Sequence, residues 1–197
     1  MISAKQFIAS KGLNEAKWLQ ARKTGVSATT VAKASTKSGF KEVMAWWWDS
    51  RPVEVTPYMQ FGLDSEPWLA EWAKDKFDLM PNDWLIRHES DSIALATPDG
   101  LSLDHSQILE VKTTGTDWGS ADKAPIQYRR QVQWQLYVTG AESCVLLWML
   151  RDDSIPGVLQ PAWMEPEWGI LYRDEKMIAE LVNTARELWF ELTKEGK

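Results

Sequence analysis

The stretch TPDGLSLDHSQILEVK, residues 97–112, carries an aspartate in a turn and a Glu-Val-Lys triplet at the end of an apolar run. Pro98-Asp99-Gly100 is a turn signal between extended segments. Strand residues two apart share a face, so Glu110 and Lys112 project together while Val111 turns into the core. Asp99, leading into a partner strand, can lie beside them. An Asp and a Glu supply hard oxygen ligands, which suit Mg²⁺ with Mn²⁺ as a substitute. A lysine next to them can hold an attacking water, bias it toward hydroxide and touch the phosphate that receives it. That is the chemistry of metal-assisted phosphodiester hydrolysis. Glu66, on an upstream helix, can supply a third carboxylate. The competing account of the same residues is a turn aspartate followed by a surface Glu/Lys ladder.

The elements that must position these groups are legible in outline. NEAKWLQARKTG reads as a helix with Asn14 as N-cap and Gly25 as its stop, and SATTVAKAS as a second helix opening at Ser27. SGFKEVMAWWWDS suggests a third, ending before Pro52; Trp46, Trp47 and Trp48 cannot share one helical face, and most of the run is expected in the core with one ring exposed. TPYMQFGLDSEPWLAEWAKDKF is the strongest helical pattern of the N-terminal half, with Phe61, Leu69, Trp72, Ala73 and Phe77 as core positions. WLIRHES, SIALATPDG and ILEVKTT read as strands, APIQYRRQVQWQLYVTG as a helix, and SCVLLWML as a fully buried strand. RDEKMIAELVNTARELWFELTKEGK closes the chain as an amphipathic helix. The order predicts a single α/β (α+β) domain over residues 1–197 with a small mixed central sheet flanked by helices.

Composition narrows the classes. The 197 residues suffice for one domain with a real core, and thirteen tryptophans imply that rings build much of that core or an interface. No run is long and apolar enough to span a membrane, and the N-terminus lacks the apolar core of a signal peptide, so a cytoplasmic protein is expected. The single cysteine, Cys144, excludes an intrachain disulfide framework and a Cys-ligated cluster, and its apolar neighbours predict an inert thiol. His88 and His105 are expected at the surface, with His105 the nearer of the two to the active face. Net charge is −6, but residues 1–45 carry eight Lys or Arg against two Glu, leaving 14 basic and 26 acidic residues for the remainder. A basic patch beside an acidic body suits an enzyme that grips phosphates and holds metal; a solvated Lys-rich helix face explains the charge equally well.

TPDG followed by LEVK resembles the signature of the PD-(D/E)xK nucleases. The succession WLQARKTGVSAT, MQFGLDSEPWL, TPDG, LEVK and YRRQVQWQLYVTG, spanning roughly residues 18–148, is similar to the phage lambda-type exonucleases, the viral recombinase nucleases. The resemblance implies that Asp99, Glu110 and the Val111 backbone carbonyl ligate metal, two ions per site, that Glu66 assists directly or through water, and that Lys112 orients the nucleophilic water. It implies a 5′-phosphate pocket of Arg22, Ser27 and Thr29 within an N-terminal part over about residues 1–60, a catalytic core over about 60–150 and a C-terminal helix over about 172–194. An Arg fork and free N–H groups at a helix start favour phosphate oxygens on their own account. From the helix after the Glu-x-Lys strand, Gln131 and Gln135 share a face. Gln131 is favoured at the reaction centre and Gln135 stands second, grouped with the DNA-binding residues, while Gln133 points elsewhere.

The activity so implied is Mg²⁺-dependent 5′→3′ digestion of one strand of linear duplex DNA to mononucleotides, leaving 3′ overhangs for recombination. A homotrimeric ring and a single-strand annealing partner protein come with the resemblance. Two alternatives keep the fold: a structure-specific or restriction-type endonuclease, and a catalytically silent DNA-end-binding protein.

Overall fold

The computed structural model describes residues 1–49 and 54–195. Along the chain run β1 (Phe7–Ser10), α1 (Glu15–Arg22), β2 (Val26–Ser27), α2 (Ala28–Ala34), α3 (Lys37–Trp47) and α4 (Pro57–Phe77). The strands β3 (Met80–Pro81), β4 (Trp84–Arg87), β5 (Ala94–Ala96), β6 (Gly100–Leu101) and β7 (Gln107–Thr114) follow. The chain then forms α5 (Ile126–Thr139), β8 (Ser143–Asp152), β9 (Gln160–Pro161), β10 (Glu167–Tyr172) and α6 (Glu175–Glu195).

Two mixed sheets result. The larger has the order β10-β8-β7-β6-β3, with β9 added to β8, and the smaller has the order β1-β4-β5-β2. The two longest strands, β7 and β8, pair in parallel with Glu110 opposite Leu146 and Lys112 opposite Trp148. Their crossover is α5, as a parallel pair requires.

The pleat of β7 sorts its side chains onto two cores. Leu109 and Val111 join Leu69, Ala73, Val145, Leu147 and Met149 beneath α4. Ile108 lies on the opposite face with Leu146, Cys144, Trp148, Val132 and Leu136 beneath α5. Glu110 and Lys112 share that second face by the same alternation. One slip of register would bury the carboxylate among leucines, so the apolar pattern itself fixes where the polar pair emerges.

Local signals explain the helix starts. Asn14 accepts from the Lys17 backbone N–H at 2.9 Å and Thr56 from Met59 at 3.2 Å, each an N-cap. Pro57 occupies the first turn of α4, where a missing N–H costs nothing. Gly25 does not stop α1, which ends at Arg22; a Cβ at Gly25 would run into the Ile93 carbonyl, so the glycine is there for close approach. Of the tryptophan run, only Trp47 packs on the core, edge-on to Trp189, while Trp46 and Trp48 are both exposed. Successive helical residues turn by about 100°, which leaves room for one of three rings on the inner face. Pro52, the expected limit of α3, lies outside the described residues.

The two histidines are half-buried rather than superficial. His88 stacks on Tyr137 with ring centroids 4.3 Å apart. His105 accepts from the Ile2 backbone N–H at 3.0 Å and serves to tie down the N-terminus. Cys144 is buried, and burial followed by the nearby Glu110 and Asp99 charges pushes its thiol well up, out of reach of thiolate chemistry at neutral pH. Among the described residues no helix is long and apolar enough to cross a membrane.

Candidate active site

Asp99 immediately precedes β6, the short partner of β7. Its backbone N–H donates to the Leu109 carbonyl at 2.9 Å, the last rung of that ladder. Beyond it the Asp99 carboxylate replaces the missing strand: Oδ2 accepts from the Val111 N–H at 2.7 Å. Because N–H and C=O of one strand residue point to the same side, the Val111 carbonyl faces this edge too, away from β8. The turn aspartate, the Glu-x-Lys triplet and one backbone carbonyl are thereby gathered where β6 stops.

Glu110 is only 1% exposed, and three side chains donate to its carboxylate. Lys112 Nζ and Gln131 Nε2 both donate to Oε1, and Gln135 Nε2 donates to Oε2 at 2.6 Å. Gln131 and Gln135, one turn apart on α5, act as a pair on one group. Gln133 faces away, donating to the Tyr172 carbonyl and accepting from the Asp174 N–H, which locks α5 to β10 and α6. Gln135 is buried to 1% exposure and spends its amide on Glu110, so it holds a carboxylate rather than meeting DNA.

Glu66 lies on α4, exposed toward the same site. Lost hydration raises its carboxyl above the ordinary range, Lys11 pulls it down, Glu110 raises it and Lys112 lowers it. Asp99 is pushed up further, first by burial, then by Glu110, with Lys112 opposing and Glu66 adding. Burial pulls the Lys112 ammonium down, but the Glu110 and Asp99 carboxylates outweigh that and hold it above its usual value. Three carboxylates thus share one lysine, and the Glu110 charge makes both Asp99 and Glu66 harder to ionise while Lys112 opposes it at each.

That frustration is what a cation relieves. The donor set, two carboxylates with the Val111 carbonyl alongside, is all hard oxygen and fits Mg²⁺ or Mn²⁺ rather than a soft metal. Among the described residues no three His, Cys, Asp or Glu side chains converge as a ready cage. The residues that would hold a cation here are Asp99, Glu110 and the Val111 carbonyl, and with so few protein ligands such an ion would keep part of its water shell.

A second polar group lies where α1 meets α2. Arg22 Nη2 donates to Ser27 Oγ at 3.3 Å, and Ser27 Oγ lies 2.8 Å from Thr30 Oγ1. Ser27 occupies the N-cap position of α2 without capping it, so its hydroxyl is committed to Arg22 and Thr30. Thr29 is exposed beside this group and outside its hydrogen bonds; Thr30, one residue on, is the partner. The guanidinium lies over the Trp18 ring at 4.5 Å, with Lys11 on the same ring at 5.8 Å, and burial lowers its pKa. No carboxylate pairs with Arg22 among the described residues, which leaves a cationic pocket. β2 runs parallel beside β5, with Ser27 opposite Leu95, and β5 continues directly into Pro98 and Asp99. The small sheet therefore sets the cationic pocket beside the chain that delivers the aspartate. Thr30 was signalled by its spacing of three from Ser27; Lys11 and Trp18 carried no signal that isolated them.

The mixed sheet clasped by helices, with a carboxylate pair and a lysine at its β6–β7 edge, is a PD-(D/E)xK-type exonuclease fold. Residues 17–142 match the YqaJ-like viral recombinase domain, and the chain belongs to that family. It is similar to the alkaline exonuclease LHK-Exo from Laribacter hongkongensis, at 25% identity over 91% of this chain and 93% of that one, with a TM-score of 0.69. LHK-Exo in complex with dAMP gives the same identity and coverage and a TM-score of 0.70. A phage-related exonuclease from Haemophilus somnus 129PT shares the fold, with 16% identity, 88% and 96% coverage and a TM-score of 0.63. No protein of curated function matches the chain. Family and neighbours make this a DNA-degrading nuclease of the viral recombinase type.

Proposed function

We propose that the chain is a Mg²⁺-dependent 5′→3′ exonuclease that digests one strand of linear duplex DNA to mononucleotides and leaves 3′ single strands for recombination. The observation that carries the reading is the pairing of two sites: Asp99, Glu110 and Lys112 at the β6–β7 edge, and Arg22, without a carboxylate partner among the described residues, with Ser27 and Thr30 on the sheet that leads to Asp99. A pocket for a terminal phosphate, set a fixed way from the cleavage centre, makes an end the substrate and one nucleotide the product. The dAMP bound to LHK-Exo, a mononucleotide, agrees with that product.

In this reading Asp99 and Glu110 with the Val111 carbonyl would hold the divalent ions, whose chemistry when bound would be to acidify water and neutralise phosphate charge. Lys112 aligns the attacking water and stabilises the charge that grows on the phosphoryl oxygens. Gln131 and Gln135 fix the Glu110 carboxylate in one orientation. Glu66 orders outer water. Arg22 clamps the terminal phosphate through its planar fork, and Ser27, Thr30 and the exposed Thr29 line that end. The reading includes a homotrimeric ring threaded by duplex, a single-strand annealing protein as partner and a cytoplasmic setting.

The test is one duplex in two forms, linear with 5′-phosphates and covalently closed, each incubated with Mg²⁺ and with EDTA. Loss of the linear form to mononucleotides, only with Mg²⁺ and not by Lys112→Ala protein, is the expected result. Cutting of the closed circle would transfer the substrate claim to an endonuclease.

A further inference from the structure

Arg151 lies near the end of β8, past the buried run SCVLLWML. Its guanidinium sits over the ring of Tyr58 at 4.5 Å. Its other flank meets the backbone of Gly115, where an added Cβ would come within 3.0 Å of Nη2. The side chain is half-buried, and its Nε is fully buried with no acceptor. Among the described residues no carboxylate pairs with it, and it donates no hydrogen bond to the protein. A guanidinium carries five donors, and withdrawing it from water without acceptors is costly. The fold nevertheless holds this one rigidly, between an aromatic face and a glycine, with its fork unspent.

Its position is defined by the two elements it touches. Gly115 follows Lys112 by three residues, about 10 Å along an extended chain. Tyr58 precedes Glu66 by eight residues on α4, about 12 Å along the helix. Both routes put Arg151 on the order of 10 Å from the carboxylates, beyond the phosphate that is cut. Neither route passes through α1 or α2, so the group is separate from the Arg22 pocket.

We propose that Arg151, seated on Tyr58, is a second phosphodiester-binding station, gripping the DNA backbone away from the bond that is cut. The proposal rests on the nuclease reading above. A cation and an aromatic ring placed together are the recurring unit of backbone-tracking grooves. The presentation is that of a residue for phosphate: a planar fork held by stacking, with its donors left for an anion. A station so far from the reacting atoms acts on the grip of a long substrate and leaves the chemistry of a short one alone.

The experiment compares wild-type protein with Arg151→Ala, Arg151→Gln and Tyr58→Leu, each verified as folded by its thermal melt. Binding of a fluorescent 5′-phosphorylated duplex is measured in EDTA across a salt series, and Mg²⁺-dependent hydrolysis is measured on that duplex and on a 5′-phosphorylated dinucleotide. Arg151→Ala and Arg151→Gln should weaken duplex binding about tenfold and reduce the slope of log affinity against log salt by about one. Tyr58→Leu, which frees the cation without removing it, should lose less. Dinucleotide hydrolysis should match wild type in all three. Unchanged duplex affinity and slope would overturn the station, as would an equal loss on the dinucleotide, which would put Arg151 at the reaction centre. A change of molecular mass in sedimentation with an unaltered salt slope would overturn it in favour of a contact between protein chains. Wild-type protein that binds no duplex would remove the nuclease reading and the station together.

Discussion

The Val111 backbone N–H donates to Asp99 Oδ2 at 2.7 Å, so the turn aspartate completes the edge of the strand that bears Glu110 and Lys112. In the proposed function the bond serves structure and chemistry at once, because the oxygen that ends the ladder belongs to a group assigned to the metal. Asp99→Asn keeps an acceptor for Val111 and removes one of three mutually repelling carboxylates. In metal-free protein this variant should melt no lower than wild type, while DNA hydrolysis falls by a factor of about 10³ as the electrostatic site is lost. Asp99→Ala, which strands the Val111 N–H, should cost about 1–3 kcal/mol of stability by denaturant titration. A drop in stability as large for Asn as for Ala would show that the charge, not the acceptor, holds the edge.

Lys112 is the counter-charge of a carboxylate that water does not reach. Lys112→Ala should abolish hydrolysis and also destabilise the fold by about 3 kcal/mol, since it leaves Glu110 buried and unpaired. Mg²⁺ supplies the missing cation, so it should raise the melting temperature of the variant by more than that of wild type. Equal shifts in the two proteins would mean that Glu110 does not bind the ion.

Among the described residues Arg22 has no carboxylate partner, and it reaches Ser27 over the Trp18 ring. Arg22→Ala should erase the preference for 5′-phosphorylated over 5′-hydroxyl ends in initial rates, with the rate on hydroxyl ends unaltered. Thr30→Val should do the same more weakly, because it removes the hydroxyl that orients Ser27. A variant that loses activity equally on both ends would move Arg22 out of the end pocket.

His88 offers a pH test independent of the site. Its Nδ1 accepts from the Ser90 and Asp91 N–H groups at 3.1 and 3.0 Å, which requires an unprotonated nitrogen. Burial lowers its pKa, with Asp91 and Glu89 opposing and Arg173 adding to the fall. A depressed folded-state value means the stabilisation is complete above the ordinary imidazole value of about 6.5 and is lost as pH falls through the folded one. Melting temperature should therefore drop on acidification below pH ~6.5, and His88→Asn should flatten that step. An unchanged step in the variant would assign it elsewhere.

Much of this was legible in residue order because local pattern and chemistry coincide in β7. Alternation put Val111 on one face of β7 and Glu110 with Lys112 on the other, and the Pro98-Asp99-Gly100 turn put an aspartate at the neighbouring strand. The i,i+4 spacing of Gln131 and Gln135 placed both amides on one face, although only the fold reveals that both end on Glu110. What escaped depends on contacts between distant segments. Gly25 resembles a helix stop until Ile93 is seen against it, and Thr29 resembles a partner for Ser27 until helical geometry brings Thr30 there. Arg151 looks like the polar end of a buried strand, and its unspent fork appears only when α4 delivers Tyr58.

The central claim is that the paired sites bite at a 5′ end, and the most direct measurement is release of label from a linear duplex tagged on one terminus. With Mg²⁺ and 5′-phosphates, label at the 5′ nucleotide should leave at once as a mononucleotide, and label at the 3′ nucleotide of the same strand should lag until the strand is consumed. EDTA should stop both. Immediate release of the 3′ label, or 5′ label appearing first in longer fragments, would contradict the account.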